Sequence, residues 1–424
     1  MLVHLRADAD DVAAAEELRL LAESAGADVR ATVFGSRRRP DAATYIGSGK
    51  AEEVRDLVAS ESADLVVVNH DLTPGQERNL EKIISARVLD RTGLILDIFA
   101  QRAHSHEGKL QVELAQLEHL ATRLVRGWTH LERQRGGIGL RGPGETQLET
   151  DRRLMRERVK TLNRRLEKVR AQRASRRRAR DRIPIPTVSL VGYTNAGKSS
   201  LFNRLTGAGV YAADKLFATL DPTMRRIRLP GRADIILTDT VGFIRDLPHG
   251  LVEAFKSTLE EVAEAALLVH VVDATHPERS TQIEQVQAVL AEIGADAIPV
   301  ITVFNKIDLT GDAAHIERDE DGNVNRIWLS AQTGDGIRLL EEALGAWFRH
   351  NREETHLALP AHAGRLRALL HNTFHVLAER PLPDGGWRLS VELTPAARGW
   401  LAQHEDFRPE YLVVTTPAAC KRRA

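Results

Sequence analysis

TVSLVGYTNAGKSS, residues Thr187 to Ser200, is the stretch that decides the fold of this 424-residue chain. An apolar run leads directly into Gly192-x4-Gly197-Lys198-Ser199, which predicts a buried strand, a phosphate-binding loop and a helix beginning at that loop. Lys198 should reach the β- and γ-phosphates, and Ser199 should bind Mg²⁺ through its hydroxyl. The predicted phosphate contacts are Gly192, Asn195, Ala196, Gly197, Lys198, Ser199 and Ser200.

The next motif follows a second apolar strand, in DIILTDTVGF. Asp239 ends this strand, where a carboxylate can hold the Mg²⁺ shell, and the Gly242 amide is positioned to sense a γ-phosphate. Together the two motifs predict an enzyme that hydrolyses a nucleoside triphosphate.

Two further motifs select the base. PVITVFNKID supplies Asn305, Lys306 and Asp308, and RIWLSAQTG supplies Ser330 and Ala331. A carboxylate at Asp308 can accept hydrogen bonds from guanine N1–H and its amine, whereas adenine would leave that carboxylate unsatisfied. The Ala331 amide is expected to bond guanine O6. Four motifs in this order predict GTP and GDP as the bound nucleotides.

Composition describes a globular protein with 42% hydrophobic and 28% charged residues. The sequence contains no apolar run of the roughly 20 residues that a membrane helix needs, so we expect a cytoplasmic protein. One cysteine, Cys420, excludes an internal disulfide framework. Net charge is zero, yet residues 123–182 hold 20 Lys and Arg against 7 Asp and Glu, a net +13.

Residues 1–106 alternate strand-like and helical patterns, which predicts an N-terminal α/β domain with a largely parallel sheet. LVHLR, ADVRATVF, DLVVVN and TGLILDIF are predicted strands. YIGSGK, at residues 45–50, has glycines but lacks the full phosphate-loop spacing, so a glycine turn at the start of a helix is the favoured interpretation.

Residues 107–182 predict an antiparallel helical, coiled-coil hairpin. Apolar residues recur at spacings of three and four in both halves, as in a coiled-coil seam. These residues are Leu110, Leu114, Leu117, Ala121 and Leu124, then Met155, Val159, Leu162, Leu166 and Val169. The glycine-rich stretch RQRGGIGLRGPGETQLE between them predicts a tip loop, and the basic VRAQRASRRRARDR favours nucleic-acid contact.

After Pro184 and Pro186, residues 183–352 predict a Ras-like P-loop GTPase domain. Residues 353–424 predict a small α+β C-terminal domain with strands at WRLSVEL and YLVVTTP and no recognisable chemistry. The expected fold class is therefore multidomain α/β.

The chain resembles the HflX family of ribosome-associated GTPases, within the translation-factor-related class. The resemblance covers residues 1 to about 350 and is carried by RGGIGLRGPGETQLETDRR, VLDRTGLILDIFAQRAHSHEGKLQVELAQL and FATLDPT. It implies that Thr219 is the switch I threonine closing on Mg²⁺ and γ-phosphate, with Thr223 the weaker candidate. With Thr219 added to the residues predicted from the motifs, the expected catalytic residues are Lys198, Thr219 and Gly242, and the expected metal ligands are Ser199, Thr219 and Asp239.

The same resemblance implies that the hairpin, residues 107–182, binds the large ribosomal subunit and its RNA, and that the protein splits, rescues or matures ribosomes. Independently, a +13 element favours binding to an RNA backbone. We expect a monomer that is partly ribosome-associated.

Hydrolysis should be slow without a partner. Many switch GTPases place Gln or His directly after the second motif to orient water, whereas this chain has Phe243. We expect the ribosome to order the site. A weaker hypothesis assigns the Asn195 side chain to K⁺ coordination beside the phosphates.

Three alternatives stay open at this point. One is an RNA-remodelling or ATP-dependent enzyme with a second nucleotide site in the N-terminal domain. Another is a GTP-dependent regulatory adaptor for a protein partner. The third is an Obg-like ribosome-assembly GTPase, although the N-terminal pattern differs from the glycine-rich fold of that class.

Overall fold

The computed structural model describes residues 1–6, 12–36, 39–127, 143–180, 185–208, 216–230, 234–245, 256–350, 353–393 and 395–413. Most of the predicted tip loop and Cys420 lie outside the described residues.

The N-terminal region is built on a parallel sheet with strand order β2-β1-β3-β4. Its strands are β1 (Leu2–Arg6), β2 (Thr32–Ser36), β3 (Leu65–Val68) and β4 (Arg87–Asp90), and its helices are α1 (Val12–Ser24), α2 (Ser48–Glu61), α3 (Pro74–Ile84) and α4 (Arg91–Arg102). The predicted parallel sheet is confirmed. Gly47, with φ of 87°, is the N-cap of α2, as expected for a glycine turn.

One predicted strand is wrong. TGLILDIF lies inside helix α4, and the fourth strand is the four residues before it. Asp90 ends that strand and caps the helix by accepting a hydrogen bond from the Gly93 amide at 2.9 Å. Because the first six residues of α4 and also Ile98 and Phe99 are buried, its central apolar run cannot be told from a buried strand by periodicity alone.

Helices α5 (His106–Gly127) and α6 (Pro143–Arg180) pack side by side. Leu110 and Leu114 of α5 form a buried cluster with Leu162 and Leu166 of α6, flanked by other residues of the predicted seam. An ion pair between Glu113 and Arg158 also joins the two helices.

The phosphate-loop region forms a seven-stranded sheet with order β10-β11-β9-β8-β5-β7-β6. Only the edge strands β6 and β10 run antiparallel to their neighbours. The strands are β5 (Thr187–Val191), β6 (Thr223–Arg228), β7 (Asp234–Asp239), β8 (Leu267–Asp273), β9 (Val300–Asn305), β10 (His315–Arg318) and β11 (Val324–Trp328), and the helices are α7 (Lys198–Thr206), α8 (Lys256–Ala263), α9 (Arg279–Glu292), α10 (Ile307–Thr310) and α11 (Ile337–His350).

The C-terminal residues form an antiparallel sheet of order β12-β14-β13. It comprises β12 (Glu353–Leu359), β13 (His375–Pro381) and β14 (Trp387–Leu393), with helices α12 (Gly364–Thr373) and α13 (Pro395–Ala402). The predicted strand at WRLSVEL is confirmed, whereas Tyr411 lies in a short 3₁₀ turn, Pro409–Tyr411. The remaining residues of YLVVTTP beyond Val413 lie outside the described part.

A single hydrophobic cluster joins the N-terminal region to the loops beside the phosphate loop. Its buried members come from α1, α4 and α5 on one side and from the segments around Phe217 and Val241 on the other. The position of these loops therefore depends on their packing against the N-terminal region. Among the described residues, no helix has the length and apolarity to cross a membrane.

Candidate functional site

The phosphate loop joins β5 to α7 and is shaped by its glycines. Gly197, with φ of 94°, is the N-cap of α7, and a Cβ at this position would collide with the Asn305 amide. Only glycine combines this backbone conformation with such a close approach. The free amides at the start of α7 therefore face one cleft, lined by Asn195, Gly197, Lys198, Ser199 and Ser200.

Lys198 is buried within this loop, with 6% of its surface exposed. Its Nζ donates hydrogen bonds to the carbonyl oxygens of Gly192, at 2.9 Å, and Tyr193, at 2.7 Å. Burial lowers the pKa of Lys198 to about 8, opposed by the nearby Asp239 carboxylate. A phosphate bound in the cleft would place negative charge next to this buried ammonium and so stabilise its charged form.

Three oxygen atoms converge next to Lys198. Ser199 Oγ lies 2.8 Å from Thr219 Oγ1 and 2.7 Å from Asp239 Oδ2, and Thr219 Oγ1 lies 2.9 Å from the same carboxylate oxygen. Burial raises the pKa of Asp239. Its second oxygen, Oδ1, is buried without a hydrogen-bond partner.

This oxygen set fits Mg²⁺, a hard cation that favours hydroxyl and carboxylate oxygens together with phosphate and water. Within the described ranges, no group of three His, Cys, Asp or Glu side chains could hold a metal ion. The hydroxyls of Ser199 and Thr219 are therefore central to the fit. Thr223 instead begins β6 and pairs in register with Asp239.

The loop after β7 brings Gly242 against the phosphate loop. A Cβ at Gly242 would lie 2.8 Å from Thr194 Cγ2 and 3.1 Å from Lys198 Nζ, so glycine is required here. Phe243 is 2% exposed and packs in an apolar cluster with Leu259 and Val262. Its side chain lies in the protein core, which accounts for a hydrophobic residue at this position.

The residues predicted to recognise the base meet at the ends of β9 and β11. Asn305 ties two loops together: its Nδ2 donates to the Ala196 carbonyl and its Oδ1 accepts from the Ala331 amide, both at 2.9 Å. Asp308 accepts a hydrogen bond from Ser330 Oγ. An open pocket next to Asp308 is lined by Ile307, Gly311, Asp312, Thr333 and Asp335 as well.

Two predicted contacts have other partners in this structure. The Ala331 amide, expected to bond guanine O6, donates to Asn305 instead. Lys306, with φ of 71°, forms an ion pair with Asp273 at 2.7 Å. The Lys306 stem can still flank a base, since only its ammonium is engaged.

Sequence reasoning missed a buried polar network that begins at Tyr193 in the phosphate loop. Its phenol donates to Glu17 of α1 and accepts from the Arg245 amide at 2.7 Å. Arg91 of α4 pairs with the same Glu17 and donates to the Arg245 carbonyl at 3.0 Å. Burial, followed by Glu17, raises the pKa of Tyr193, so its phenol stays protonated as a donor.

A second missed contact is the pairing of Asp221 with the amides of His104 and Ser105, which directly precede α5. The two segments are 116 residues apart. Asp221 and Ser105 each occur in a motif quoted above, which was the available signal, but no spacing rule connects the two motifs.

Three family models match consecutive parts of the chain. Residues 13–100 match "GTP-binding GTPase N-terminal", residues 102–180 match "GTP-binding GTPase Middle Region", and residues 187–306 match "50S ribosome-binding GTPase".

Curated relatives match almost end to end. GTPase HflX of Escherichia coli (strain K12) is 52% identical over 97% of this chain and 97% of its own length. GTPase HflX of Magnetococcus marinus is 51% identical over 91% of this chain and 89% of its own. Among solved structures, a complex of SsGBP with GDP is 26% identical, covers 82% of this chain and 97% of that chain, and has a TM-score of 0.48.

Proposed function

We propose that this chain, which belongs to the HflX family of GTPases, binds the large ribosomal subunit and couples that binding to its hydrolysis of GTP. We infer the ribosomal partner from the match of residues 187–306 to a family described as a 50S ribosome-binding GTPase. Ribosome splitting, rescue or maturation is the proposed outcome of the cycle.

The proposed roles at the site follow from its geometry. Ser199, Thr219 and Asp239 hold Mg²⁺, which when bound neutralises charge on the phosphates. Lys198 contacts the β- and γ-phosphates, and the Gly242 amide senses the γ-phosphate. Asp308 reads the guanine edge, and Ala331 bonds O6 once guanine displaces its contact with Asn305. The remaining proposed nucleotide contacts are Gly192, Asn195, Ala196, Gly197, Ser200, Asn305, Lys306 and Ser330.

The partner surface is proposed to be the pair of helices α5 and α6, as an antiparallel coiled-coil hairpin within residues 107–182. The buried cluster between the two helices is apolar, whereas Arg153, Arg156 and Lys160 of α6 are exposed and can contact solvent or RNA. A groove between the helices carries Arg152, Arg156, Lys160 and Arg164, with an apolar floor at Met155 and Val159. Closely spaced guanidinium and ammonium groups suit a phosphate backbone.

Slow intrinsic hydrolysis is part of the proposal. Phe243 is committed to the core, so no side chain at this position can orient the attacking water. The ribosome would supply that ordering. Asn195, with φ of 60° at the cleft, is the proposed K⁺ contact, and equal rates in Na⁺ and K⁺ would exclude it.

The proposed domains are residues 1–106, 107–182, 183–352 and 353–424. The proposed protein is a cytoplasmic monomer with a ribosome-associated fraction. The adaptor alternative stays open, since a GTPase cycle can equally gate a protein partner.

The decisive experiment measures GTP hydrolysis with and without purified large ribosomal subunits. The test variant replaces Arg152, Arg156, Lys160 and Arg164 with glutamine, because these residues line the groove between the helices. A matched control replaces the exposed residues Arg318 and Arg326, on β10 and β11, in the same way.

We expect strong stimulation of the wild type and the control, and clearly weaker stimulation of the groove variant. Absence of stimulation of the wild-type protein would refute the ribosome assignment and favour the adaptor. Stimulation that the groove variant retains in full would move the contact away from these helices.

A further inference from the structure

The segment that carries Thr219 is held on both sides by the N-terminal region. On its N-terminal side, Phe217 is 2% exposed and packs edge-on against Phe99 of α4, with ring centroids 4.7 Å apart. The amide of Leu216 donates to Ser24 Oγ at the end of α1 at 2.9 Å. Leu220, which follows Thr219, is also buried in the shared cluster.

On the C-terminal side, Asp221 binds the start of α5. Its Oδ2 accepts hydrogen bonds from the amides of His104 and Ser105, at 2.8 and 2.7 Å, and its Oδ1 accepts from Ser105 Oγ. That hydroxyl in turn accepts from the Gly108 amide at 2.8 Å. Asp221 therefore holds the turn in which α5 begins.

The packing at this turn leaves no room for a larger residue. A Cβ at Gly108 would overlap Asp221 Oδ1 and lie 3.0 Å from Ser105 Oγ, so a larger residue would displace the Asp221 carboxylate. Gly108 is therefore required by the contact with Asp221, even though alanine is the better helix former.

Thr219 lies two residues from each anchor, with its hydroxyl in the proposed metal group. Phe217 and Leu220 are buried, and the Asp221 carboxylate accepts three hydrogen bonds, so the position of Thr219 is restricted from both sides. In a loop without these contacts, the conformational entropy lost on ordering these residues would oppose closure over Mg²⁺ and γ-phosphate. The N-terminal region removes much of that cost by holding the segment in advance.

We propose that Asp221, through its contact with the two residues that directly precede α5, is a positioning residue that seats Thr219 over the metal and so links the triphosphate state to the start of helix α5. The inference rests on the proposed role of Thr219. Since a diphosphate lacks the γ-phosphate on which Thr219 closes, the contact should favour the triphosphate selectively. By reciprocity, a bound triphosphate should tighten the turn at Ser105.

The test measures the affinities of the full chain for a non-hydrolysable GTP analogue and for GDP, both with Mg²⁺ and without ribosomes. Asp221→Ala removes the acceptor. Gly108→Ala keeps every polar group and favours the helix, but its methyl group displaces the Asp221 carboxylate. Asp296→Ala, at an exposed position before β9, is the matched control, and Thr219→Ala tests the role of the threonine itself.

We expect Asp221→Ala and Gly108→Ala to lower the preference for the triphosphate analogue over GDP about tenfold, the loss typical of hydrogen bonds to a charged group. GDP affinity should change less than twofold, and the control should match the wild type. An unchanged preference, or an equal loss for both nucleotides, would overturn the inference.

Hydrogen exchange gives a second readout at the far end of the contact. The amides of His104 and Ser105 should exchange more slowly with the triphosphate analogue than with GDP, and Asp221→Ala should abolish that difference. Equal exchange in both nucleotide states of the wild type would overturn the link to α5. An unchanged preference in Thr219→Ala would instead refute the proposed role of Thr219, a separate outcome from any failure of ribosome stimulation.

Discussion

Replacing Arg91 with methionine should strongly destabilise the protein, because this buried guanidinium has partners in two regions. Its side chain is 7% exposed. It donates to Asn69 Oδ1 at 2.8 Å, pairs with Glu17, and donates to the Arg245 carbonyl at 3.0 Å. Methionine fills a similar length with an apolar chain, so the main loss is electrostatic.

The size of the expected loss of stability follows from the Glu17 carboxylate, which loses its partner. The Glu17 side chain is 14% exposed and would remain as a nearly buried carboxylate, with the Tyr193 phenol as its one remaining donor within the described ranges. Breaking such a pair from one side costs about 3–5 kcal/mol. Neutralising the abandoned carboxylate in the double variant Arg91→Met/Glu17→Gln should recover about 2 kcal/mol, within the range of measured pair couplings.

Urea unfolding measures these free energies. Circular dichroism follows the whole chain, whereas tryptophan fluorescence reports only later regions, because residues 1–106 contain no tryptophan. Arg55→Met is the control, since Arg55 pairs with Asp56 on an exposed helix face and should lose less than about 0.5 kcal/mol. A single variant within 1 kcal/mol of the wild type, or a double variant less stable than the single, would refute this reasoning.

Three further perturbations test other parts of the site. Burial lowers the pKa of His270 to about 4 from an ordinary 6.5, so between these pH values the unfolded chain binds one more proton than the folded chain. The free energy of unfolding should therefore fall by about 3 kcal/mol as the pH drops from 6.5 through 4. Acid unfolding of His270→Gln should lack this part of the pH dependence. Asp308→Asn should weaken GDP binding on the order of 10³-fold and favour xanthosine diphosphate, whose oxygen replaces the guanine amine, as titration of both nucleotides would reveal. Phe243→Gln should bury an amide in the core at a cost of about 1–3 kcal/mol without raising the hydrolysis rate, and faster turnover of a stable variant would contradict the placement of that side chain.

The local sequence was sufficient to predict a strand or loop wherever the residues that determine its structure are contiguous. The strand before the phosphate loop and those ending at Asp239 and Asn305 are where the apolar runs predict them. Their loops meet because parallel strands deliver their carboxyl ends to one edge of the sheet. The wrong strand at TGLILDIF shows the limit of this reasoning, although Asp90, three residues before Gly93, was an available helix-start signal.

Contacts between distant segments could not be obtained in this way. Tyr193 and Glu17 are 176 residues apart, and neither has a spacing that marks it. The insertion of β10 before β11 was also missed, because His315–Arg318 has only one strongly apolar residue. An antiparallel edge strand open to solvent needs little hydrophobic patterning.

The contacts on the two loops around the nucleotide differ in kind. The loop of Thr219 is held by the Leu216 amide and by the side chains of Phe217, Leu220 and Asp221. Arg245 is held through its backbone, whose amide donates to Tyr193 and whose carbonyl accepts from Arg91. The Arg245 side chain turns away and pairs with Glu278 at 3.0 Å. A change of side chain at Arg245 therefore leaves the network intact, while a shift of its backbone breaks both bonds and exposes the Arg91–Glu17 pair. These two contacts therefore depend on the position of the Arg245 backbone and not on its side chain.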